Sequence, residues 1–306
     1  MGTNENLVTD IRALEIFADN IGSGSDYLVQ DLPGEIYHYT DLNALSSIIT
    51  HDDLWLTNSM YTNDEYEMTH GYELTKEILS KKRRRTKKAE TQAFLKRVES
   101  LVGEPPTRGV YICCFCTQDN LLSQWRSYGE NGTGVSIGFE QMGFRRYCGA
   151  DLPLEIGLMR LWRVFYKTET KKDIIEKALD MIPKLHPKDS EEEKAHKVAD
   201  AIHFFIPTFK NSDFEEEKER RLIFTPAPEC KVNPRFQVAR GMLVPYYSLK
   251  ELSQVPDHAR NHLPIKSVTV GPSVQKNQNT ESVKMLLSQN GYTNLTVSPS
   301  DTPYRG

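Results

Sequence analysis

Ile36-Tyr37-His38-Tyr39-Thr40, directly after Pro33-Gly34, is the stretch from which the fold is read. Four of its five residues are β-branched or aromatic, so it predicts a strand opening straight after a turn. Side chains alternate faces along a strand. His38 and Thr40 are therefore expected on one side, Tyr37 and Tyr39 on the other. An imidazole and a hydroxyl would then address the same space. Much later the chain carries Glu217-x-Glu219, and the intervening sequence reads as the scaffold that brings this pair to His38.

Outward from that strand the pattern alternates between short strands and helices. Asp41 caps a helix whose buried stripe is Leu42, Leu45, Ile48 and Ile49. Leu54–Thr57 is a second strand. Val110–Cys116 is wholly apolar and reads as a central strand. Val135–Phe139 alternates cleanly, and Leu161–Tyr166, Arg221–Phe224, Ile265–Val270 and Leu295–Val297 complete the strands, with a helix over Glu281–Gln289. Thr9-Asp10 caps a helix with Ile11, Leu14, Phe17, Ala18 and Ile21 at helical spacing. The fold class is α+β. Residues 1–30 form an N-terminal helical lead and residues 31–306 a single mixed domain. Helical insertions are expected at about 64–102, standing out from the core, and at about 170–209.

The 306 residues are 38% hydrophobic and 26% charged, with a net charge of −4. That is ordinary globular composition, and it lacks the overall basic field of a nucleic-acid-binding chain. The five cysteines follow no zinc spacing and no disulfide framework, which points to a reducing cytosol. The first thirty residues have no apolar segment of a signal peptide, and no stretch has the length of a membrane helix. The expectation is a cytoplasmic protein without membrane contact and without a bound metal.

Several motifs in order resemble the bacterial proteins called domain of unknown function 2971, from about residue 35 to the C-terminus. They are Tyr37-His38-Tyr39-Thr40, Asn63-Asp64, Cys116 to Phe139 with Trp125, Tyr128 and Gly134, then Phe214, Glu217-x-Glu219-x-Arg221, Gly271-Pro272 and Ser300-x-x-Pro303-Tyr304-Arg305. A wider likeness rests on fewer residues. A strand with His-x-Thr, a helix with Leu-x-x-Ile-Ile and a second strand are similar to the start of ADP-ribosyltransferase-like domains. That resemblance implies a split sheet and NAD as substrate. It implies a strand histidine, His38, that holds the nicotinamide ribose and amide, a tyrosine on the nicotinamide, and a late glutamate that supports the forming oxocarbenium ion. The acceptor would be a macromolecule, and a toxin or anti-phage role would fit such a family.

Each candidate also has a plainer reading. His38 and Thr40 either orient the nicotinamide riboside, or His38 is a half-buried strand histidine satisfied by a carbonyl. Glu219, assisted by Glu217, is the catalytic candidate, because two carboxylates on one face can be aimed at positive charge developing in a transition state. Arg221 is placed to orient one of them by a bidentate pair, and the alternative is a solvated acidic run. Trp125 reads as core and Tyr128 as the ligand-facing ring. The corner Asn131-Gly132-Thr133-Gly134 could let backbone approach a phosphate, although it matches no nucleotide-binding fingerprint. Asn63, Asp64, Glu65 and Glu67 form an acidic loop that could take a divalent metal, but capping of the helix fits better, and Asn63 and Asp64 could also close the site through hydrogen bonds. Lys81, Lys82, Arg83, Arg84, Arg85, Lys87 and Lys88 form either a solvated helical face or a local patch for nucleic-acid phosphates. The tail at Ser300–Arg305 is expected to fold back onto the domain. The alternative to an enzyme is a regulatory module on the same fold, binding a nucleotide or nucleic acid without chemistry.

Overall fold

The computed structural model describes residues 14–21, 28–29, 31–61, 65–104, 109–148, 152–239, 241–253 and 262–304. Asn63, Asp64, Arg305 and the expected cap at Thr9-Asp10 lie outside the described residues, and of Glu65 and Glu67 only the helical backbone is described.

Ten strands form one sheet. They are β1 (Glu35–Thr40), β2 (Trp55–Asn58), β3 (Tyr111–Cys116), β4 (Val135–Glu140), β5 (Gly157–Arg163), β6 (Glu219–Pro226), β7 (Arg235–Ala239), β8 (Met242–Ser248), β9 (Ile265–Val270) and β10 (Thr296–Pro299). The order is β10-β9-β4-β1-β3-β2-β8-β7, with β6 on the other edge of β3 and β5 outside β6. Strand β3 is central, as its unbroken apolar run predicts. One of its edges is paired along its length by β6, from Tyr111↔Phe224 to Cys116↔Glu219. The other edge is shared. β1 meets it at Tyr37↔Cys116 and β2 at Thr57↔Ile112 and Asn58↔Tyr111. Both run antiparallel to β3, and between them the sheet is split.

Helices cover both faces. α1 (Leu42–His51) is capped by Asp41, which accepts from the Ala44 N–H at 2.7 Å, and it buries Leu45 and Ile49. α2 (Glu65–Arg85), α3 (Ala89–Val102), α5 (Thr168–Leu185) and α6 (Glu191–Phe205) pack together on one face with the helical residues 14–21. α4 (Leu122–Ser127), α7 (Leu249–Leu252) and α8 (Lys276–Gln289) complete the set among the described residues. The segments expected as insertions are helical, but 64–102 does not stand out from the core. Leu95, Val98 and Val102 join Ile112, Trp162, Ile223 and Phe205 in one apolar layer, because the sheet face beneath would otherwise be bare. The alternation on β3 divides the two cores. Ile112 and Cys114 face the four helices, whereas Tyr111, Cys113 and Phe115 face the layer holding Ile36, Ile137, Phe139 and Phe224.

The tail folds back as expected. The Ser300 hydroxyl donates to Asn120 Oδ1, Thr302 Oγ1 donates to the same atom at 2.8 Å, and the Tyr304 hydroxyl donates to Asn131 Oδ1 at 2.5 Å. The Arg126 guanidinium lies 5.1 Å from the Tyr304 ring centroid. The tail therefore braces the loop that carries Tyr128.

Candidate functional site

Register decides which side chains meet. Cys114 stands opposite Arg221 on β6 and Cys116 opposite Glu219, so these four share the face of the four-helix layer. Tyr37 pairs with Cys116 and belongs to that face too. His38 does not. It stands opposite Ile137, and its ring centroid is 5.8 Å from that of Phe115 on the other face. Alternation alone would separate His38 from Glu219 by the thickness of the sheet. The split removes that barrier. One cavity of about 70 Å³ is lined by Tyr37, His38, Tyr39, Cys114, Cys116, Gln124, Tyr128, Glu217 and Glu219, together with Phe115. His38 reaches it through the gap between β1 and β2. Thr40, expected beside it, is not among the lining residues and pairs with Val135 at the strand end.

The His38 ring nitrogen Nδ1 is 2.9 Å from the Cys114 carbonyl oxygen. A carbonyl only accepts, so Nδ1 carries the proton, and in the neutral ring Nε2 is an acceptor. Burial pushes the pKa below the ordinary histidine value, against the opposing pull of that bond, so the ring is neutral near pH 7. The plainer reading and the functional one coincide here: a histidine satisfied by a strand carbonyl also forms part of a cavity wall.

Glu217 and Glu219 meet at a cation that the sequence did not signal. Glu217 ends the 3-10 turn Ser212–Glu217, Lys218 takes a left-handed conformation (φ 44°), and Glu219 opens β6. The reversal turns both carboxylates onto Lys210, whose Nζ lies 2.6 Å from Glu217 Oε2 and 3.1 Å from Glu219 Oε2. Arg221 grips Glu219 with two bonds, Nε to Oε1 at 2.7 Å and Nη2 to Oε2 at 2.8 Å, and it donates from Nη1 to the Pro207 carbonyl. The Glu219 N–H donates to Tyr166 Oη at 3.0 Å, and Cys116 Sγ donates to the Glu217 carbonyl at 2.9 Å. All four charged residues are buried. The acidic run is thus no solvated face where it matters, and the bidentate pair expected of Arg221 is present. Lys210 had no recognisable motif. Its one trace in the sequence is a cation seven residues before Glu217, in the polar break after Phe209.

Burial alone would raise the Glu219 pKa. The charge and hydrogen bonds of Arg221 and the charge of Lys210 outweigh it and hold the carboxyl at about 2, against an ordinary 4.5. A depressed folded-state value means that the stability it supplies is complete above the unfolded value and disappears as pH falls. We expect a few kcal/mol, at about 1.4 kcal/mol per pKa unit, to be lost between pH 4.5 and about 2. Urea midpoints measured at pH 7, 4.5 and 3 check this. Glu219→Gln should flatten that part of the profile, and an unchanged profile would assign the acid sensitivity to other groups.

The remaining candidates separate cleanly. Trp125 is fully buried, edge-on to Tyr39 at 4.9 Å, and belongs to the core. Tyr128 is 43% exposed and forms part of the cavity rim. Three of the glycine corner's four amides are already engaged. The N–H groups of Gly132, Thr133 and Gly134 donate to the carbonyls of Gly129, Glu130 and Gly129 at 2.9, 3.1 and 3.0 Å. Its glycines serve close packing instead, since a Cβ at Gly134 would lie 2.2 Å from the Thr40 carbonyl oxygen. Lys81, Lys82 and Arg83 pair with Glu77, Asp180 and Glu99, and the run ends α2, where cations complement the helix dipole. Among the described residues no group of three or more His, Cys, Asp or Glu side chains is arranged to hold a metal ion, and no helix is long and apolar enough to cross a membrane. None of the five cysteines forms a disulfide.

A mixed α+β domain with a buried carboxylate–cation cluster at a sheet split is what fold and site define. Residues 124–222, about a third of the chain, match the family model described as protein of unknown function (DUF2971). The matched span carries Tyr128, Lys210, Glu217, Glu219 and Arg221, and it excludes His38 on β1. No curated protein and no solved structure matches the chain.

Proposed function

We propose that the protein is an ADP-ribosyltransferase-like enzyme that takes NAD as substrate and modifies a macromolecule. The observation that supports this reading is the cavity at the split, where His38, Tyr128, Glu217 and Glu219 converge from three separate parts of the chain. In this reaction the bond between ribose C1′ and the nicotinamide nitrogen breaks. Its electron pair leaves with nicotinamide, which departs neutral. The acceptor nucleophile bonds to C1′ and releases a proton. Neutral His38 accepts a hydrogen bond from the riboside or its amide, and Tyr128 packs on the ring. Glu219, ionised at every physiological pH, is unsuited to proton transfer and acts by charge alone. Glu217 is the partner carboxylate, with Lys210 and Arg221 fixing the pair.

One observation favours a second reading, a nucleotide-binding module without chemistry. Two carboxylates face two cations in the cluster, so its charge is balanced before any oxocarbenium ion forms. Nicotinamide release from NAD distinguishes the two. Wild type is expected to release it in the presence of cell extract, and His38→Ala and Glu219→Gln to lose at least tenfold of that rate. NAD binding without release would transfer the assignment to the binding module.

A further inference from the structure

His38 is also a wall of a second, larger cavity. This one encloses about 400 Å³ and is bordered by α1 through Asn43, Ala44, Ser47 and Ile48, by Asp41, Asp53 and Leu54, and by Trp55, Thr57 and Gln237. Its volume falls within the range of small-molecule sites, roughly 300–1,000 Å³. Register explains its polar floor. Thr57 pairs with Tyr246, and Gln237 with Val244 two residues away on β8, so Trp55, Thr57 and Gln237 project from one face.

The lining chemistry is selective. Trp55 is 39% exposed, and its ring stacks at 4.2 Å and 25° on Tyr246, which is itself buried. An aromatic ring fixed in this way is a platform for a planar ring system. Asn43 and Gln237 each offer an amide donor and an acceptor, the pairing that reads a base edge. Asp41 accepts the Ala44 N–H through Oδ1 and keeps acceptor capacity for hydroxyls. None of the described lining residues is a lysine or an arginine, and two are aspartates. The site therefore suits a ligand rich in donors and disfavours an anion.

We infer that this cavity is a nucleoside site: the base stacks on Trp55 and is read by Asn43 and Gln237, the ribose hydroxyls donate to Asp41, and phosphate is excluded. The inference does not rest on NAD chemistry, because none of these residues lines the cavity that holds Glu217 and Glu219.

Fluorescence titration of the full chain with adenosine, guanosine, cytidine and uridine, each beside its 5′-monophosphate, tests it. Trp125 and Trp162 are fully buried, so quenching by ligand reports on Trp55 among the three tryptophans. At least one nucleoside is expected to bind, and its monophosphate at least fivefold more weakly. Calorimetry should give at least tenfold weaker binding to Trp55→Ala, with Trp55→Phe intermediate and Gln237→Ala changing the order of preference among bases. Asp41→Asn should narrow the gap between nucleoside and monophosphate. Absence of binding by all four nucleosides to folded protein, or tighter binding of the monophosphates, would overturn the assignment. So would unchanged affinity in Trp55→Ala. Nicotinamide release with no nucleoside binding would remove this site and leave the NAD reading intact.

Discussion

Lys210→Met should lower the unfolding free energy by about 3–5 kcal/mol at neutral pH, the usual result of removing one partner from a buried ion cluster. Lys210 is 3% exposed and is the common partner of Glu217 and Glu219. Methionine keeps most of the stem volume, so the loss is electrostatic rather than a cavity effect. The two carboxylates would lose the cation they share, and Glu217 and Glu219 would repel each other in the buried cluster. The deficit should shrink as pH is lowered, because protonation of either carboxylate relieves that repulsion. Urea unfolding at pH 7 and pH 4 measures both effects. A loss below about 0.5 kcal/mol, the range of ordinary surface substitutions, would mean that water solvates the cluster.

Trp125→Ala should cost a similar amount, about 3–5 kcal/mol, for a different reason. The indole is fully buried and packs edge-on against Tyr39, and Gly129 has no room for a Cβ, which would lie 2.6 Å from the Trp125 ring. Its Nε1 donates to Asn120 Oδ1 at 3.0 Å, the same oxygen that receives Ser300 and Thr302. Truncation would therefore leave a void and loosen the bracing of the Tyr128 loop by the tail. Trp125→Phe should recover most of the packing and none of the Asn120 bond, leaving a deficit of roughly 1–2 kcal/mol, as for one lost buried hydrogen bond. Guanidinium unfolding of the two variants separates the contributions, and equal losses would assign the whole effect to the Asn120 bond.

Much of the architecture was legible because it is local. The strands expected at Ile36–Thr40, Val135–Phe139 and Ile265–Val270 and the helix expected from the stripe of α1 each appear within a residue or so of their expected bounds. Glu217, Glu219 and Arg221 were legible as a same-face group. The hairpin β7–β8 was not anticipated, although Gly241 at its turn (φ 72°), between two alternating runs, was an available signal. Long-range pairing was out of reach. Alternation put His38 on the face of Thr40 and said nothing about which strand lies beside it, so the split and the route it opens to Glu219 were not readable. Lys210 was missed because a single lysine before an acidic turn has no period and no motif. The glycine corner was misread because spacing shows where backbone can approach, not whether its amides are already engaged.

The division of β3's second edge has a mechanical consequence. Resistance to bending across a sheet is carried by its ladders. The β3–β6 junction has six registered positions, whereas β1 holds β3 through one, Tyr37↔Cys116, helped by the His38 contact to Cys114. The four strands β10, β9, β4 and β1 are therefore well laddered to one another and joined to β3 through a single registered pair. That junction is the thinnest ladder of the sheet among the described residues, and it lies where His38, Tyr37 and Glu219 meet.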